Sequence, residues 1–102
     1  MKFDEYQKQA IRSVAITDKS IAALSHRTLG LSGEAGIVSN AMKKVIRDKA
    51  GELSKEDKDL LKEKIGDVIY YAAVLADYAD LSLEEIIKAN MQKSSQFLDQ
   101  RN

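Results

Sequence analysis

Apolar residues recur along this chain at helical spacing. In residues 4–16, DEYQKQAIRSVAI, Tyr6, Ala10 and Val14 fall four apart with Ile11 beside them, which predicts an amphipathic first helix. Thr17–Ser20 breaks that pattern, and Asp18 is the expected cap of the second helix. That second helical pattern covers 21–48, interrupted or loosened near its glycines. Basic residues then fill its last turn, and Gly51 marks its stop. Ser54 with Asp57 resembles an N-cap with an acidic first turn, so a third helix is expected over about 55–79. Asp80 and Leu81 make a short turn, and Ser82 with Glu85 forms a capping box for a fourth helix. That helix carries Leu83, Ile86, Ile87, Asn90, Ser94 and Phe97 along one side.

The third helix has a different character from the rest. Its run VIYYAAVLA, Val68 to Ala76, is apolar on every face, and such a helix is expected to be buried on most sides. Three partner helices in one chain barely supply that cover. The protein is therefore expected to be at least a dimer, with Val74 or Tyr78 as candidates to face the partner. Four helices joined by short turns imply an all-α fold, a compact four-helix bundle over residues 1–102 taken as one domain.

Composition narrows the class. The 102 residues contain no proline and no cysteine, so disulfides and thiolate zinc sites are excluded. Sixteen basic and sixteen acidic side chains cancel, which removes any gross electrostatic reason to expect nucleic acid or an anionic membrane as partner. The N-terminal MKFDEYQKQA is too polar for a signal peptide, and no apolar run reaches membrane-spanning length. A cytoplasmic protein is the expectation.

The stretch Gly30–Lys44, GLSGEAGIVSNAMKK, carries the first candidate chemistry. Glu34 sits on a helix face otherwise made of Ile37, Val38, Ala41 and Val45, and a carboxylate in an apolar seam is costly without a partner. Gly30, Gly33 and Gly36 recur at three-residue spacing, each giving up about 1 kcal/mol of helix propensity relative to alanine. Close approach of a neighbouring backbone or a ligand would explain them; a loop-to-helix junction with a solvated glutamate is the bland alternative. Two more polar groups lie on apolar stripes: Asp67 among Leu60, Tyr71, Val74 and Tyr78, and Asn90 among Ile86, Ile87 and Ser94. Two acids and an amide on three inner faces would be satisfied together by a divalent cation and an anionic ligand. Glu63, one turn before Asp67, either joins them or stays a solvated partner of Lys62 or Lys64.

Basic residues cluster as Lys43, Lys44, Arg47 and Lys49 at the end of the second helix. They complement the helix dipole or bind an anion. Lys93, one turn from Asn90, is placed to reach the same anion. Tyr6 and Gln7 on the first helix are candidates to stack on or read a base, with ordinary core packing as the alternative. The single histidine, His26, has no serine or cysteine around it in a recognisable catalytic arrangement.

In order, YQKQA, GLSGEAG-V---KK, GDVIYYAAVLA and LSLEEI---N--K resemble the MazG-like nucleotide pyrophosphohydrolases over nearly the whole chain. The resemblance implies an all-α protein, dimeric or tetrameric, that hydrolyses nucleoside triphosphates to monophosphate and pyrophosphate with magnesium, or with manganese in its place. In such chemistry the metal polarises the phosphate chain and activates a water. The family's metal site pairs E-x-x-E on one helix with E-x-x-D on the next long one. Glu34 matches the first of these acids and Asp67 the last, which makes them the catalytic and metal-holding carboxylates; Glu63 is a further candidate ligand by its spacing to Asp67, not by the match. The other two acids fall at Ile37 and Lys64, neither of which binds magnesium. Asn90 and Lys93 match an N-x-x-K that resembles the family's phosphate contacts, although a leucine expected next is Ser94 and an arginine a turn later is Phe97. Tyr6, Gln7, Lys44 and Arg47 also resemble substrate-binding positions. Three readings compete: a pyrophosphohydrolase impaired at Ile37 and Lys64, a catalytically inactive nucleotide-binding or regulatory relative, and a purely structural helical oligomer.

Overall fold

The computed structural model describes residues 1–101 and contains four helices and, among those residues, no strand. Helix α1 spans Phe3–Ser13, α2 Ile21–Lys49, α3 Lys55–Tyr78 and α4 Leu83–Arg101. The two long helices form an antiparallel hairpin; α1 packs on α3 and α4, and α4 makes no contact with α2. The single chain is therefore more open than the compact bundle expected from the sequence. Its radius of gyration is 16.3 Å, against about 13 Å for a compact domain of 100 residues.

Local chemistry explains most boundaries. Ser20, not Asp18, is the N-cap of α2: its Oγ accepts from Ala23 N at 3.1 Å, while Asp18 Oδ1 accepts from Ser20 N. Ser54 and Asp57 cap α3 reciprocally, and Ser82 Oγ accepts from Glu85 N at the start of α4. α2 ends where Ala50 and then Gly51 turn left-handed, with φ of 54° and 84°. α1 stops at Ser13, three residues sooner than its apolar spacing predicts. There Val14 goes extended and is buried, and Arg27 Nη2 donates to the Ile16 carbonyl at 3.3 Å. The chain beyond Ser13 is held instead by this tertiary donor.

The second helix runs unbroken through its glycines, against the expected loosening. Its 29 residues amount to about 43 Å at 1.5 Å per residue. Gly30 meets the expectation of a close approach: a Cβ there would fall 2.2 Å from Tyr71 Cε1 on α3. Gly33 and Gly36 have open space where a Cβ would be.

The core is small and built from small side chains. Ala10, Val14, Ala73, Val74 and Leu83 form its buried cluster, with Tyr6, Tyr70, Tyr71 and Ile87 packed against them. Val74 has no exposed surface, and the Tyr78 hydroxyl donates to the Lys19 and Ser20 carbonyls, so these two residues hold the chain's own interior together rather than facing outward. The outward side of α3 instead presents Ile65 and Ile69, 48% and 47% exposed. No described helix is long and apolar enough to cross a membrane.

Candidate functional site

The α2–α3 hairpin brings Glu34 and Asp67 to either side of one residue, Lys64. The Lys64 ammonium lies 3.3 Å from Glu34 Oε2 on α2 and 3.4 Å from Asp67 Oδ2 one turn along its own helix. Glu34 and Lys64 side chains are each about one-fifth exposed, Asp67 more so. Glu34 Oε2 is buried and has no hydrogen-bond partner. Its contact with Lys64 has the distance of an ion pair without hydrogen-bond alignment, so the buried charge is balanced by proximity alone. The Lys64 pKa is raised, first by its contact with Glu34 and further by Asp67, against the opposing effect of desolvation.

Tyr6 on α1 packs against the buried core. Burial pushes its phenol pKa up, and Tyr70 and the negative charge of Asp67 push it the same way. The phenol is therefore a neutral donor at any physiological pH. Tyr70 stands edge-on to Tyr71, their ring centroids 5.1 Å apart, and its hydroxyl is 3.0 Å from Ser13 Oγ.

The remaining candidates are placed elsewhere. Ile37 and Lys44 line a cleft between the second half of α2 and the first half of α3, together with Asn40, Val45 and Leu60. Arg47 holds its neighbour Asp48 in a two-point ion pair of 2.8 and 2.9 Å. Asn90 and Lys93 are exposed on α4 and share a shallow surface with Ser94 and Phe97. Since α4 makes no contact with α2, the single chain does not bring them to Glu34. Glu63 is exposed on α3.

Gln7 has a structural task. It is buried; Nε2 donates to the Ala73 and Leu81 carbonyls at 3.1 and 3.0 Å, and Oε1 accepts from Leu83 N at 3.0 Å. Its amide thereby joins α1 to α3 and to the first turn of α4. Asp4 works alongside it, accepting from Ser82 Oγ at 2.9 Å and from Glu84 N at 3.3 Å. The sequence offers Gln7 as a candidate base reader, and nothing local tells that role from a backbone staple. Arg27 gave no signal. It is buried, with Nη1 donating to the Val74 carbonyl at 2.7 Å and pairing with Asp77 at 3.4 Å.

The donor set does not fit a magnesium ion. That ion takes near-octahedral oxygen at about 2.0–2.1 Å, whereas here two carboxylates flank an ammonium. Among the described residues no group of three or more His, Cys, Asp or Glu is gathered closely enough to hold a metal. What the arrangement offers chemically is a pair of acids neutralised in part by a lysine where α2 meets α3.

The chain is similar to the Gene 37 protein of Mycobacterium phage L5, 43% identical over 74 residues, which is 72% of this chain and 65% of that protein. It thus spans less than two-thirds of that relative's length. No solved structure matches it. The family model of the MazG nucleotide pyrophosphohydrolase domain matches residues 23–98, which begin in α2 and take in α3, most of α4 and the whole Glu34–Lys64–Asp67 cluster, and the chain belongs to that family.

Proposed function

We propose that this chain binds a nucleoside triphosphate or a related nucleotide on the α2–α3 hairpin, and that its pyrophosphohydrolase chemistry is impaired. The observation that carries this reading is the convergence of Glu34 and Asp67, from two helices, on Lys64 in a chain of the MazG family. The hairpin keeps the two acids that match the family's pattern. At the other two positions it has Ile37, an apolar side chain, and Lys64, which neutralises the acids. Lys44 in the adjoining cleft supplies a cation suited to a nucleotide's phosphates, and Tyr6 on α1 is the aromatic candidate for its base. The setting is cytoplasmic.

Assembly belongs to the same proposal. α4 touches α3 but not α2, and Ile65, Ile69, Phe97 and Leu98 are all about half exposed or more in the single chain. A homodimer or homotetramer would cover these side chains. It would also let Asn90 and Lys93 of one copy approach the hairpin of another.

A working pyrophosphohydrolase, releasing monophosphate and pyrophosphate, is the second reading. Its support is the family's own description as a nucleotide pyrophosphohydrolase domain. One experiment separates the two. Nucleotide binding is measured by calorimetry across a panel of triphosphates and monophosphates, and pyrophosphate release is followed in parallel with and without magnesium. Saturable binding with release absent or barely above the uncatalysed rate supports the first reading, and sustained magnesium-dependent release supports the second. Neither binding nor release would defeat both.

A further inference from the structure

We infer that Lys64 is a built-in cation that occupies the space between Glu34 and Asp67 and keeps divalent metal ions out of it. Its placement at a nucleotide site rests on the proposed function above, but the test of metal exclusion does not require any nucleotide.

Three observations support it. The ammonium is almost equidistant from the two acids, 3.3 and 3.4 Å, although one acid is on its own helix and the other across the hairpin. Both distances exceed the roughly 2.7–2.9 Å of a well-aligned charged hydrogen bond. Lys64 thus donates one long hydrogen bond to Asp67 and pairs with Glu34 by charge alone, spanning the two carboxylates as a bound cation would. Second, Glu34 Oε2 is buried and has no hydrogen-bond partner. A buried carboxylate oxygen requires a compensating charge, and the ammonium at 3.3 Å supplies it. Third, no other acid or histidine among the described residues is gathered there to outweigh the lysine.

The charge arithmetic gives the direction. Glu34, Asp67 and Lys64 sum to one negative charge, a weak attraction for a divalent ion that must also displace the ammonium. Replacing Lys64 by an uncharged residue of similar length leaves two negative charges and an empty seat. Replacing it by glutamate leaves three.

The test uses Mn2+ alone as probe, with calorimetry for binding and thermal melts in chelator and in millimolar Mn2+. The proteins are the unmodified chain, Lys64→Met, Lys64→Arg, Lys64→Glu and a neighbouring control, Lys62→Met. The unmodified chain, Lys64→Arg and Lys62→Met should show no saturable heat and the same melting temperature in both buffers. Lys64→Met should gain one saturable site, and Lys64→Glu should bind on the order of tenfold tighter, because affinity for hard cations follows the number of charged oxygen ligands. Both should melt higher with Mn2+ than without, since binding to the folded state stabilises it. Saturable one-site binding by the unmodified chain that Glu34→Gln abolishes would overturn the inference. So would a folded Lys64→Glu protein, verified by circular dichroism, that takes no metal. If Lys64→Glu fails to fold, Lys64→Met decides, and its failure to bind Mn2+ is equally fatal. A chain that excludes Mn2+ but binds no nucleotide would defeat the proposed function and leave this inference standing.

Discussion

The ring of Tyr71 lies against Gly30 so closely that a methyl group added there would fall 2.2 Å from Cε1, 2.4 Å from Cδ1 and 2.6 Å from Cζ. The ring has little freedom to withdraw, because Tyr70 stands edge-on at 5.1 Å and His26 at 6.0 Å between centroids. Gly30→Ala should therefore destabilise the protein. Overpacking costs about 1–3 kcal/mol, against about 1 kcal/mol returned as helix propensity. Gly33→Ala and Gly36→Ala meet no neighbour within 4 Å and should each stabilise by up to about 1 kcal/mol. Thermal melts of the three variants check the contrast, and three equal shifts would refute it.

Gln7 discriminates between a staple and a ligand contact. Gln7→Leu leaves the buried Leu83 N–H without its acceptor, which costs about 1–3 kcal/mol. The expected result is a lower denaturation midpoint with nucleotide affinity unchanged in whatever fraction remains folded. A variant of ordinary stability with weakened nucleotide binding would reverse that assignment.

The start of α3 should be sensitive to acid. Lys49 first, and then the backbone and hydroxyl of Ser54, lower the Asp57 pKa from 3.8 to about 2. Because the folded value lies below the ordinary one, this contribution is complete above pH 3.8 and disappears as the pH falls through about 2. Stability measured across that window should fall less steeply in Asp57→Asn than in the unmodified chain. Ser54→Ala, which removes the other half of the cap, should cost about 1 kcal/mol at neutral pH.

Ile37→Glu combined with Lys64→Glu should raise pyrophosphate release from nucleoside triphosphates in magnesium. Position 37 is one turn from Glu34 and position 64 one turn from Asp67, so four carboxylates would face one another across the hairpin. Four acids repel without a cation, and the double variant should melt lower in chelator and recover in magnesium. A folded double variant that binds magnesium and still releases no pyrophosphate would show that more than two side chains separate this chain from an active enzyme.

Much of the architecture comes from local signals. Helix number, the Ser54–Asp57 and Ser82–Glu85 caps and the Gly51 stop depend on residues within four positions of each other, and these the sequence specifies directly. The course of the chain after α1 is not local, since Arg27, eleven residues beyond Ile16, donates to the carbonyl of that residue. Nor is the continuity of α2: a glycine's local cost is visible in the sequence, whereas the packing of α3 along the helix is not. At the site, periodicity alone placed Glu34 and Asp67 on inward faces. It could not show that Lys64 reaches both, since its distance to Glu34 depends on the register of two helices that meet thirty residues apart in the chain. The same holds for Gln7, whose three partners come from α3, the following turn and α4. Residue type and spacing determine which helices form and which side chains face inward. Only the tertiary packing decides which of those side chains meet, because a polar group's partner is chosen by distances that no local rule contains.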